Sequence, residues 1–143
     1  MHTTIDFVAH LVKPRQVASI LPAFALLVGI SASSTSMASV RDIRFDQEKR
    51  QVMVETIAPG KALELCGDMQ NGAHVGWRFD SDKALDFNIH FHVGKEVQYP
   101  SKLKARKNAA GRLDVNEDQT YCWMWSNRGQ HQAKLSVTLE DLK

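Results

Sequence analysis

The 143-residue chain lacks an apolar run long enough to cross a bilayer, an excess of either charge, and a catalytic signature, and each absence removes a class of function. Its longest apolar stretch, residues 17–30, is about 14 residues long and contains Pro22, short of the ~20 that a spanning helix needs. No cysteine ends that stretch, which argues against a lipoprotein anchor. Eighteen basic and 16 acidic residues give a formal charge of only +2. A near-neutral domain is not an electrostatic nucleic-acid binder. No serine stands in a Gly-x-Ser-x-Gly elbow and no Asp/His pair is locally placed, so nucleophilic catalysis has no signature. The carboxylates Asp80, Asp82 and Asp86 fall in and after a polar segment where solvated acids are the default. The chain therefore reads as a non-enzyme with no cofactor. It has no internal repeat and no second domain.

What is present begins with an address. Lys13 and Arg15 precede the apolar stretch, and Ser36, Met37 and Ala38 follow it with small side chains at the positions a signal peptidase reads. Residues 1–38 are expected to be a cleaved signal peptide, leaving residues 39–143 as one exported domain, periplasmic or secreted. Removing Lys13, Arg15 and Asp6 leaves 16 basic and 15 acidic residues. Both cysteines, Cys66 and Cys122, stay in the exported part, where an oxidising compartment favours their pairing. A disulfide there closes a loop of roughly 57 residues and is expected to stabilise the fold by about 4 kcal/mol.

From Ser39 onward no window keeps a helical period over three turns, and the pattern is one of short strands and turns. Leu63 and Leu65, then Trp77 and Phe79, then Phe87, Ile89, Phe91 and Val93, then Tyr121, Trp123 and Trp125, then Leu135, Val137 and Leu139 each alternate with other residues. Side chains along a strand have period two, so each set marks a core-facing side. Residues 80–83 read as a charged turn, and 101–112 as a mobile loop or a lysine-rich hairpin edge. Seven to nine short strands at this spacing predict an all-β antiparallel β-sandwich.

Three groups of residues could bind something. His90 and His92 lie two apart on the polar side of their strand, and Glu96 completes a His-x-His-x3-Glu spacing similar to the first metal motif of cupins. His74 or His131 could add a ligand if the fold brings it near. Against this, paired histidines on a solvated strand are usually plain polar surface, outward-facing and dispensable for folding. Cys122 and Met124 with these histidines also form a soft set suited to copper, unless a disulfide consumes the thiols. Lys102, Lys104, Arg106, Lys107 and Arg112 could meet an anionic surface such as phospholipid headgroups. No aromatic residues interleave with them, so single-stranded nucleic acid is poorly served.

The segments Trp77-Arg78-Phe79, 86–93, Tyr121-x-Trp-x-Trp-Ser-Asn127 and Lys134-Leu135-x-Val137 together resemble the GOLD domain, a β-sandwich of early-secretory membrane proteins and some lipid-transfer proteins. The resemblance covers roughly residues 57–139. It implies a non-catalytic binding or interaction module with a protein or lipid-surface partner. In the cargo-receptor branch one cysteine lies on an early strand and another on the strand before the asparagine turn, so the resemblance also implies that the strands of Cys66 and Cys122 are neighbours. The second reading is a periplasmic metal-binding or cupin-like protein using His90, His92 and Glu96.

Overall fold

The computed structural model describes residues 38–142, so the signal-peptide reading, apart from Ala38, lies outside the described residues. Seven strands follow in order: β1 (Ala38–Asp42), β2 (Arg50–Ile57), β3 (Ala62–Met69), β4 (His74–Val93), β5 (Glu96–Asp114), β6 (Gln119–Ser126) and β7 (Ala133–Asp141). Among the described residues no helix is long and apolar enough to cross a membrane. The class is all-β, as the alternation predicted. Every strand pair is antiparallel except β1 with β3, which run parallel.

The sheet order is β1-β3-β6-β4-β7-β2, with β5 lying along β4. At 20 residues β4 is far longer than a typical strand of about 5–6. Its residues 75–81 pair with β7 and its residues 86–90 pair with β6. One strand therefore serves both layers, and β5 follows it through both. The register shifts between Asp80 and Leu85, and this is where β4 passes from one layer to the other.

That passage corrects the reading of residues 80–83 as a turn. They continue β4, and carboxylates take up the backbone N–H groups that the bend leaves without ladder partners. Asp82 Oδ1 accepts from the Lys134 N–H at 2.8 Å, and Asp86 Oδ1 accepts from the Ala105 N–H at 3.0 Å. Ala105 adopts a positive φ of 51°, marking the bulge in β5 opposite the bend. Of the two readings of residues 101–112, the hairpin edge holds and the mobile loop does not, because β5 has β4 to pair with along its length.

The core lies between the layers. Trp77, Phe79, Phe87 and Trp125 form one aromatic group with neighbouring ring centroids 4.7–6.0 Å apart, within the range aromatic pairs favour. Phe91 and Tyr121 form a second pair at 4.8 Å. Leu63, Leu65, Ile89, Leu135, Val137 and Leu139 fill the space around them. Val93, expected inside by parity, is 45% exposed, because the β4–β5 hairpin runs past the end of the core.

Candidate functional site

Cross-strand partners share a face, so the register states which side chains meet on the outer surface of the β1-β3-β6-β4-β5 layer. One row across it reads Asp42, Cys66, Cys122, His90. The next reads Val40, Glu64, Met124, Asn88, Lys102. Cys66 and Cys122 are joined by a disulfide, and their Cα atoms are 4.1 Å apart, as in a directly opposed pair.

His90 is only 7% exposed, which corrects the expectation of a solvated, outward-facing pair. Its parity is indeed outward. Opposite it, however, β5 carries an extra residue: Ile89 pairs with Ser101 and Phe91 with Gln98, so Tyr99 and Pro100 together face one position. The Tyr99 ring comes within 6.1 Å of the His90 ring, and the His92 ring stands at 5.5 Å. His90 Nδ1 is 2.8 Å from Asn88 Oδ1. Burial holds the His90 pKa below its ordinary value, Glu64 pulls the other way, and His92 adds to the lowering.

His92 is exposed and pairs with Val97, whereas Glu96 pairs with Val93. Glu96 thus lies on the face opposite His92, and the hairpin does not bring the His-x-His-x3-Glu set together. The donors that do converge are Glu64, His90 and Cys122, whose ligand atoms all lie within 4.8 Å of one another. Sequence spacing could not find Glu64, because it arrives from a strand paired only through β6. His74 sits at the far end of β4, where its Nδ1 meets Asp114 Oδ1 at 2.7 Å. The His131 carbonyl accepts from Asn127, and its ring is exposed on the β6–β7 loop.

The basic residues are strung along β5. Lys102 and Arg112 are ten positions apart, roughly 30 Å at strand rise. Arg112 is engaged with Asp114 at 2.8 Å, and its hydrogen bond is the main cause of the lowered Asp114 pKa, with His74 next. Lys102 instead stands over the Tyr99 ring at 4.2 Å from its centroid. Together with Lys104, Asn88, Met124 and Arg128 these two line a cleft of about 550 Å³ on the outer face. Asp86 is the one carboxylate lining it, with Arg128 Nε at 3.7 Å. The cleft is therefore positive, with an aromatic ring and a thioether in its walls.

A second cleft, of about 680 Å³, opens at the end of the domain between Phe45, Met69, Ala73 and Val75. Of its three acids, Asp118 accepts through Oδ1 from the Asn71 N–H at 2.7 Å, and Asp68 accepts from the Thr120 hydroxyl. The first bond ties the loop between β3 and β4 to the loop between β5 and β6, and the second joins β3 to β6.

Among solved structures, the chain is similar to Aeromonas hydrophila PliG, a periplasmic lysozyme inhibitor of g-type lysozyme. The TM-score is 0.61 at 9% identity, over 73% of this chain and 97% of that one. It is also similar to the Yersinia pseudotuberculosis-derived mitogen, with TM-score 0.51 at 11% identity, over 64% of this chain and 84% of that one. No family model and no curated protein matches the sequence. What this chain shares with both structures, at these identities, is the fold.

Proposed function

We propose that this chain is an exported, non-catalytic binding module that takes an acidic protein surface into the cleft beside Tyr99. The observation that carries this reading is the make-up of that cleft. Tyr99, 47% exposed, is held by Lys102, with Met124 and Arg128 nearby, and aromatic, Met and Arg side chains are those that anchor interfaces. Apart from Arg128 on the β6–β7 loop, its walls come from β4, β5 and β6, so little ordering is needed on binding. Lys102, Lys104 and Arg128 against Asp86 favour a negatively charged partner and speed encounter with it. Export fits the disulfide, which persists in oxidising compartments. A protein partner is in keeping both with the GOLD resemblance and with the fold of PliG, whose own partner is a g-type lysozyme.

A g-type lysozyme is the first partner to test. The mature domain is expected to inhibit it in a cell-wall lysis assay, and Tyr99→Ala or Lys102→Glu to weaken inhibition by about thirtyfold, the loss of one interface anchor. Inhibition that is equally strong in both variants would remove the cleft from the reading. Absence of inhibition, together with no complex on titration calorimetry, would exclude this partner.

A further inference from the structure

We infer that reduction of the Cys66–Cys122 bond opens a site for a divalent cation of the zinc class, held by Cys66, Cys122, His90 and Glu64. Three paired strands bring the donors together: Cys122 is the register partner of both Cys66 and His90, and Glu64 is two residues from Cys66 on the same face. Cys66 Sγ is 3.9 Å from Glu64 Oε2. With the ligand atoms of Glu64, His90 and Cys122 within 4.8 Å of one another, closure of about 1 Å would give the 2.0–2.3 Å bonds of tetrahedral zinc.

Two further features suit a metal. Asn88 Oδ1 accepts from Nδ1–H of His90, which leaves Nε2 as the free lone pair and fixes the ring, the arrangement that supports metal-bound histidine. His90 and Cys122 are 7% and 8% exposed, so water competes weakly for the ion. Two thiolates, an imidazole and a carboxylate are a zinc donor set, whereas the two sulfurs of an intact disulfide are not thiolates. The redox state of one bond therefore decides whether the site exists.

The chemistry balances with a dithiol as reductant. It gives two electrons and two protons to the Cys66–Cys122 bond, which breaks to two thiols while the dithiol closes to its own disulfide. Binding of the cation then releases both thiol protons to solvent.

The test is an anaerobic Co²⁺ titration of the mature protein reduced with a trialkylphosphine, which is oxidised to the phosphine oxide as water supplies its oxygen and the two thiol protons. One equivalent should give a thiolate-to-cobalt charge-transfer band and the intense visible bands of tetrahedral cobalt, and Zn²⁺ should displace it. The oxidised protein should give neither band. His90→Gln and Glu64→Gln should weaken binding at least tenfold, and Asn88→Ala about ten- to a hundredfold. His92→Gln and Glu96→Gln should leave it unchanged. Equal binding by the oxidised protein, a spectrum without a thiolate band, or full affinity in His90→Gln would overturn the site. Should reduction alone unfold the sheet, Zn²⁺ must restore its circular dichroism in the wild type and fail to do so in His90→Gln, and unfolding that Zn²⁺ leaves unreversed would also overturn it.

Discussion

Asn127 shows how much one side chain can join. It is 1% exposed, and its Nδ2 donates to the carbonyls of Ile57 at 2.9 Å and His131 at 2.8 Å, while Oδ1 accepts from the Gly129 N–H at 2.9 Å. The end of β2 and the β6–β7 loop are thereby tied to one amide. Asn127→Asp keeps the acceptor and loses both donors, leaving two carbonyls unpaired and a carboxylate buried. It is expected to cost on the order of 3 kcal/mol in urea unfolding. His90 makes a second residue-scale prediction. In the unfolded chain it takes up a proton near its ordinary pKa of 6.5, whereas the folded chain, with the pKa lowered, binds that proton only at lower pH. Over that interval the unfolded state holds more protons, so stability should fall as the pH drops below about 6.5. Glu64, His92 and Tyr99 are the titratable groups facing it. In His90→Gln this part of the pH dependence should be absent from melting curves.

At the scale of the element, β4 and β5 act as one long hairpin that both layers share. Its outer part carries the positive cleft, and toward its base a glycine lies against an indole ring. Gly111 pairs with Trp77, and a Cβ on Gly111 would stand 2.6 Å from the indole ring. The ring lies where a side chain would otherwise be. Gly111→Val must push Trp77 out of the aromatic group and is expected to destabilise by about 1–3 kcal/mol, with a change in near-ultraviolet circular dichroism. The contrast is Arg112→Ala on the next residue. Its ion pair with Asp114 is more than half exposed on the arginine side, so the change should stay within about 0.5 kcal/mol.

For the whole molecule the disulfide is the main covalent constraint. It bridges β3 and β6 across a separation of 56 residues, and its main effect is on the unfolded chain. Thiol titration of the denatured, unreduced protein should find no free cysteine, and reduction without metal should cost roughly 2–5 kcal/mol. The sequence reading ends the leader at Ala38, and intact mass of the exported protein is expected to give a chain of roughly 105 residues, cut after Ala38. A retained leader would be visible at once in the same spectrum.

The sequence by itself determined the strand class and most of the core, because period two needs no knowledge of partners. Tyr121, Trp123 and Trp125, like Leu135, Val137 and Leu139, are buried as their alternation required. Compartment chemistry, together with the resemblance, suggested that Cys66 and Cys122 pair. Only the tertiary structure decided the rest. The acids at 80–86 look like a solvated turn until the chain bends there, leaving N–H groups on β7 and β5 for carboxylates to satisfy. His90 and Glu96 look like partners by spacing, yet hairpin pairing puts Glu96 on the opposite face from His92. Glu64 reaches His90 because β6 lies between their strands. Local spacing sets which face of a strand a residue takes; which strands stand side by side is settled by long-range pairing, and the site depends on that.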